Sequence, residues 1–294
     1  MKLIILSGDA RLYSTRRLVT AARDRGHVVR VLDPLRCCLH MASTGLRLRY
    51  KGHELDDYDA VIPRFGTAIN RYGVLVLRQL EAMGLYCLNR AQAVAQTRDK
   101  LCSQQLLVAA GLPMPITVAG DSSEDTQDLM AMLGPAPHII KLNHGSQGQG
   151  VMLAESTRAS RSLIETLRGL RAEFLVQEFI AEADGADLRC LVLEGEVVAS
   201  MQRQAKADDF RANLHQGGHA AAVQASSQEI EMAIQATHTL GLQLAGVDLL
   251  RSRRGPLVLE VNASPGLEGI EAASGLDLAG QIVARVEQAV AGQT

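Results

Sequence analysis

Short apolar runs bounded by polar turns recur along the first 95 residues and alternate with stretches of helical spacing. Residues 3–7 (Leu-Ile-Ile-Leu-Ser) are such a run and read as a buried parallel strand. Residues 14–25 carry helical spacing through Leu18, Val19 and Ala22 and close at Gly26. Strands at 28–32 and 60–63, a helix near 72–83 and a strand at 85–88 complete an open α/β layer. A helix from Arg98 to Ala110 stops at Gly111 and Pro113, which mark a boundary. Beyond it the pattern predicts strands at 116–119, 139–142, 151–154 and 174–180, with helices near 124–133 and 157–169. The rest reads as antiparallel. Strands 188–193 and 196–201 flank the turn Glu194-Gly195, and helix 227–240 precedes a last hairpin, 246–250 with 257–262. A terminal helix covers about 277–291. The expected units are 1–96, 97–181 and 182–294.

Composition narrows the functional classes. The 294 residues are 47% hydrophobic and 21% charged, which excludes a disordered or fibrous chain. A net charge of −2 gives no basic field for nucleic acid, and 3% aromatics without Trp offer few stacking platforms. The five cysteines (37, 38, 87, 102, 190) form no CxxC pair, which argues against a zinc site or disulfide framework and for a reducing compartment. No apolar stretch approaches membrane-spanning length, so a cytoplasmic protein without membrane contact is expected.

The last hairpin carries the sharpest chemical pattern. Val258, Glu260 and Asn262 share one strand face, and a turn centred near Arg254 sets Asp248 opposite Glu260. Two carboxylates and an amide oxygen then converge, a hard-oxygen set suited to Mg²⁺. The alternative is a solvent-facing edge with its carboxylates matched to Arg251, Arg253 and Arg254. Upstream, Lys141-Leu-Asn-His-Gly-Ser-Gln-Gly-Gln-Gly places Gly145, Gly148 and Gly150, with Ser146 and Gln147 between, in a GxxGxG run between two strands. Such a hairpin tip either covers phosphates with its backbone N–H groups or holds nothing.

Lysines are scarce, and Lys100 and Lys141 flank this loop and boundary as point charges for phosphate, or as solvated surface groups. Glu178, inside an apolar strand, must find donors: a ribose hydroxyl, an adenine amino group, or an internal salt bridge. Arg189 and Arg203 suit carboxylate or phosphate recognition, and His215 is either an acid/base or a loop residue.

The order and spacing of these residues resemble the RimK-like α-L-glutamate ligases of the ATP-grasp superfamily. The stretches that carry it include Ile62-Pro-Arg-Phe-Gly-Thr-Ala68, Thr97-Arg-Asp-Lys-Leu101, the loop at 145–150, Val176-Gln-Glu-Phe-Ile180, Asp187-Leu-Arg-Cys190, Asp209-Phe-Arg-Ala-Asn-Leu-His215, Gly246-Val-Asp248 and Glu260-Val-Asn-Ala-Ser-Pro-Gly266. The resemblance implies an ATP-grasp fold behind an N-terminal α/β pre-ATP-grasp domain. It implies adenine at Glu178–Phe179, ribose at Asp187 or Glu178, and nucleotide contacts from Lys100, Lys141, Arg211, Ala212 and Asn213. Asp248, Glu260 and Asn262 would hold two Mg²⁺ or Mn²⁺ ions. Arg203, with Arg189 beside it, would stabilise the oxyanion.

The implied activity joins L-glutamate by α-peptide bonds to a C-terminal carboxylate, on a small-subunit ribosomal protein tail or on glutamate itself. It runs through an acylphosphate in a homo-oligomer, without nucleic-acid contact. Two rivals share the nucleotide residues: a sister ligase for another amino acid or carrier protein, and a non-catalytic nucleotide-binding regulator. One position departs from the family pattern: His144, after Asn143, stands where an acidic residue is usual.

Overall fold

The computed structural model describes residues 1–66, 69–122, 126–145, 148–207, 209–212 and 217–292. Its first sheet is four parallel strands in the order β2-β1-β6-β7: β1 (Lys2–Leu6), β2 (Val28–Leu32), β6 (Ala60–Pro63) and β7 (Tyr86–Cys87). Side chains alternate along β1, so Ile4 and Leu6 enter one buried cluster while Leu3 and Ile5 enter another. Helix α1 (Tyr13–Asp24) covers the second face with Leu18, Ala21 and Ala22, and helix α2 (Asn70–Ala82) covers the first with Val74, Leu77 and Leu80. Burial on both faces is what makes β1 a continuous apolar run.

Two features of this region escape the hydrophobic pattern. A three-stranded antiparallel sheet, β3 (Cys37–Ala42), β4 (Gly45–Tyr50) and β5 (His53–Glu54), leans on α2. Tyr72 Oη donates to the Cys37 carbonyl at 2.8 Å and Gln79 Nε2 to the Arg47 carbonyl at 2.6 Å. Its outer face carries His40, Arg47 and Arg49, so no apolar run announces it. The helix expected over 98–110 is α4 (Lys100–Ala109), and a further helix that the pattern does not announce, α3 (Ala91–Arg98), runs up to it. Asp99 leaves helical backbone (φ −89°, ψ 106°), and its side chain caps the second helix by accepting from Cys102 N–H at 3.0 Å.

The second sheet is antiparallel in the order β10-β9-β11-β8: β8 (Thr117–Val118), β9 (His138–Leu142), β10 (Val151–Ala154) and β11 (Phe174–Glu178). Helices α5 (Thr126–Leu133) and α6 (Thr157–Gly169) close a separate small core of Leu129, Met130, Ile140, Ile164, Phe174 and Val176 among others. The glycine loop is the tip of the β9–β10 hairpin.

The third sheet is antiparallel in the order β14-β13-β12-β15-β16: β12 (Ala186–Leu193), β13 (Glu196–Gln204), β14 (His219–Ala222), β15 (Leu244–Ser252) and β16 (Gly255–Asn262). Helix α7 (Ser227–Thr239), opened by a reciprocal Ser226–Glu229 capping box, packs on one face. Helices α8 (Glu268–Ser274) and α9 (Leu278–Ala291) lie on the other. Leu188, Cys190 and Val192 share the core of α2 and β1, while Leu191 and Leu193 share that of α1 and α9. The first and third sheets therefore grip the same two hydrophobic clusters. Among the described residues no helix is long and apolar enough to cross a membrane.

Candidate active site

Strands β12, β13, β15 and β16 set charged residues of both signs side by side across one sheet face. Asp187 stands opposite Arg203, Arg189 opposite Asp248, and Asp248 opposite Glu260. Opposed residues point to the same side, so register alone brings these five together. Arg189 donates to Asp248 in a two-pronged pair, Nε to Oδ1 at 2.7 Å and Nη2 to Oδ2 at 2.6 Å. Arg203 does the same to Asp187, at 2.7 and 2.6 Å, and its Nη2 lies 2.9 Å from Asp248 Oδ2. Gly246, next on that side of β15, leaves the room: a Cβ there would meet Pro265 Cβ at 2.8 Å and Arg189 Nε at 3.7 Å.

Asp187, Arg203 and Asp248 are all buried. Burial acts to raise the Asp248 carboxyl, but the guanidiniums of Arg189 and Arg203 outweigh it and hold the group below the ordinary carboxylate range. For Asp187 burial wins and pushes it up, because Arg203 and the more distant Arg189 do not outweigh desolvation together with the Asp248 charge. The carboxylates thus find Arg189 and Arg203 as partners, not the turn arginines expected from sequence. Arg251 pairs with Glu229, Arg254 with Glu178, and the Arg253 N–H donates to Glu182. Expecting β13 to stop at Met201 hid this ladder, since the strand runs on to Gln204 and carries Arg203 across from Asp187.

Asn262 completes the group. Its Nδ2 donates to Glu260 Oε1 at 3.0 Å and lies 3.5 Å from Asp248 Oδ2. Turning that amide over presents its oxygen to the same point. Two carboxylates and one amide oxygen fit a hard divalent cation, and Glu260 makes no ion pair among the described residues.

The lysines are not solvated surface groups. Lys141 is buried on β9, donating to Gln177 Oε1 at 2.7 Å. Lys100 opens α4 and donates to the Gly145 and Asn143 carbonyls at 2.9 and 3.3 Å. Burial lowers the pKa of both, that of Lys141 to about 8, while the Glu260 charge pulls them back up. The glycines are required locally. Gly150 has φ 72° and its Cβ would strike the Leu142 side chain at 2.7 Å, and a Cβ on Gly145 would meet the Gln149 carbonyl at 2.9 Å. Gly148, at φ 77°, offers its carbonyl to Arg211 at 3.4 Å. Ser146, Gln147, Asn213 and His215 lie outside the described residues.

The two lysines, Gly145, Gly148, Arg203 and the Asp187, Asp248, Glu260 and Asn262 side chains line one cleft of about 1650 Å³, mouth included, between the second and third sheets, while Arg189 is not part of its lining. Its apolar wall includes Met114, Ile139, Phe179, Ile180 and Leu250, with Ala212 at its edge. Glu178 Oε1 accepts from the Ile116 N–H at 2.7 Å and from Arg254, the internal salt bridge that was the alternative to a ligand contact. Asp187 gives both oxygens to Arg203 while lining the same cleft. Sequence reasoning missed Gln177, the partner of Lys141, and Arg98, whose guanidinium lies 4.4 Å from the Phe65 ring centre. Neither belongs to a charge pattern visible in the chain.

The depressed Lys141 ammonium makes a pH prediction. Below about pH 8 it is charged and would attract the phosphates that the resemblance assigns to it; above, that charge is lost. The KM for ATP should stay level to about pH 8, then climb towards about tenfold per unit, whereas kcat breaks at higher pH because bound phosphates raise the ammonium's pKa. Initial rates across the range check this, and a KM flat to about pH 10 would remove Lys141 from the phosphate site.

The chain matches two family profiles: the RimK PreATP-grasp domain over residues 1–94 and the RimK-like ATP-grasp domain over 97–286. A "Probable alpha-L-glutamate ligase" of Xanthomonas axonopodis pv. citri (strain 306) is 58% identical over 290 residues, covering 99% of this chain and 98% of that protein. Among solved structures, the RimK domain protein ATP-grasp from Sphaerobacter thermophilus DSM 20745 superposes with a TM-score of 0.75 at 22% identity, covering 97% of this chain and 98% of that one. The ATP-grasp ligase PsnB complexed with minimal precursor, Mg and ADP gives 0.74 at 21%, covering 98% of each. With both halves of the chain matched, in a fold whose cleft brings the charged ladder to the glycine flap, the protein belongs to the RimK-like ATP-grasp family of ATP-dependent ligases.

Proposed function

We propose that the protein joins L-glutamate by an α-peptide bond to a C-terminal carboxylate, on a protein tail or a glutamyl peptide, at the expense of ATP cleaved to ADP and phosphate. The observation that carries this reading is the ladder: Arg203 lines the cleft reached by Lys100 and Lys141 beside the Asp248–Glu260–Asn262 set, and Arg189 is bonded to Asp248. Acidic substrates suit planar guanidinium forks. The relatives named as α-L-glutamate ligases support glutamate, and PsnB, which holds a peptide precursor with Mg and ADP, supports a peptide acceptor.

In this reading Lys141, Lys100 and the flap backbone hold the ATP phosphates, the apolar wall at Phe179 holds adenine, and Glu178 meets the ribose through Oε2. Asp248, Glu260 and Asn262 would hold Mg²⁺ or Mn²⁺, two ions in the full site, which supply charge neutralisation for the transferred phosphoryl group. The acceptor carboxylate oxygen attacks the γ-phosphorus and ADP leaves, giving an acylphosphate. The glutamate amine then attacks the carbonyl carbon, the amine loses a proton, and phosphate departs. Arg203 donates to the developing oxyanion. Positioning and charge, not covalent catalysis by the protein, carry such a reaction.

Incubation with ATP, Mg²⁺, L-glutamate and a Glu-Glu-ending peptide should release ADP and extend the peptide one glutamyl residue at a time by mass spectrometry. Finding AMP with pyrophosphate would exclude the acylphosphate route. A product with another amino acid, but none with glutamate, would make this a sister ligase.

A further inference from the structure

Among the described residues, Arg64 joins two buried, unpartnered guanidinium nitrogens to the lack of any ion pair. Arg64 follows β6, and its N–H extends the parallel pairing by donating to the Leu6 carbonyl at 2.7 Å. Its side chain is only partly exposed. Nε and Nη1 have no solvent contact and no hydrogen-bond acceptor, and among the described residues the guanidinium makes no ion pair. Burial alone lowers its pKa, to about 10, so it remains charged at neutral pH. An unpaired buried charge is costly, and a native chain that keeps one needs a reason for it.

Its position supplies the reason. In the order β2-β1-β6-β7, α1 after β1 covers one face and α2 after β6 the other, which makes the gap between the carboxyl ends of β1 and β6 the switch point of the sheet. Open α/β sheets bind ligands at that gap, and Arg64 stands at its rim. The gap adjoins the catalytic cleft. Ser264, two residues beyond Asn262, donates its hydroxyl to the Pro63 carbonyl at 3.2 Å, and Phe65 and Gly66 line the cleft together with Asn262 and Ser264.

We propose that Arg64 is the anchor of a substrate carboxylate: the amino-acid substrate or the acceptor tail enters over the switch point of the first sheet and gives a carboxylate to this guanidinium while its reacting end faces the Asp248–Glu260–Asn262 set. The nucleotide phosphates do not compete for it, because Lys100 and Lys141 reach the cleft from the second sheet's side. This rests on the ligase reading above and adds a subsite to it.

Arg64→Met and Arg64→Lys test the proposal, with KM measured separately for ATP, L-glutamate and a Glu-Glu-ending peptide, and with calorimetric titration of the two carboxylate ligands beside ADP and Mg²⁺. Arg64→Met should raise KM and the dissociation constant for one carboxylate ligand on the order of 30-fold, leaving ATP unaffected. Arg64→Lys should recover part of that loss. A rise confined to glutamate assigns the anchor to the amino acid, and one confined to the peptide assigns it to the acceptor.

Ligand-free Arg64→Met should also melt no lower than the parent chain, because it removes an unpaired buried charge. A lower Tm with unchanged constants would make Arg64 a structural residue and overturn the proposal, as would a parallel rise for ATP or a parent chain that binds neither ligand nor any other carboxylate offered. If the parent chain uses another amino acid in place of glutamate, the glutamate reading fails, and Arg64 is judged on the constants for that amino acid.

Discussion

Glu260→Ala should reduce kcat on the order of 10³-fold or more, a loss of about 4 kcal/mol in transition-state stabilisation, with the folded protein intact. Glu260 lies at the end of the charged ladder and makes no ion pair among the described residues; only the Asn262 amide leans on it. Truncation therefore removes the proposed cation ligand and breaks no ion pair, although Lys100 and Lys141 lose the nearby charge that supports their ammonium forms. Asp248→Asn should cost turnover equally but also stability, because two guanidiniums lose the charge they share. Activity and urea unfolding measured on both variants separate the two roles. Near-normal turnover in folded Glu260→Ala would refute the metal assignment.

Arg203→Met carries the largest expected effect on stability. Asp248 keeps Arg189, but Asp187 loses its only guanidinium partner while remaining buried. Removing one member of such a pair costs about 3–5 kcal/mol, chiefly from the stranded charge. Replacing both, as Arg203→Met with Asp187→Leu, should return most of the stability, since apolar groups of similar volume fill the space without a desolvation cost. Turnover should stay lost in the double variant, because the oxyanion donor is absent from it. Urea midpoints for the two single and the double variants give the coupling energy. Additive losses would mean that Asp187 and Arg203 do not depend on each other.

Much of the fold was legible because burial writes itself into period. The Asp248–Glu260 pairing followed from alternation and turn position, and the structure has both residues opposed, with Arg253 and Arg254 at the turn. The glycine loop read as a hairpin tip, and its neighbouring strands pair as expected. What escaped was polar burial. Arg203 and Asp187 neutralise each other inside a sheet, so neither interrupts an apolar stripe that a hydrophobic reading would register. The outer faces of β3 and β4 are charged, so their sheet resembled a loop. Helix α3 also escaped, and Asp99, which ends it and caps α4 through its bond to Cys102, fixes where the expected helix begins.

The separate core of the second sheet has a consequence for cooperativity. Its buried residues, from Leu129 to Val176, belong to neither cluster shared by the first and third sheets. Among the described residues the flap-bearing lobe has polar ties to the rest, among them Lys100 to Gly145, Leu101 to Asn143 and Arg254 to Glu178. A lobe with a core of its own can open at a lower free energy than the body it sits on. A nucleotide lodged between them acts as the missing hydrophobic seam. At a hundred times its dissociation constant it adds about 2.7 kcal/mol to holding the lobes together. In the proposed reading ATP would be adhesive as well as reactant, holding the two lobes together for as long as it is bound.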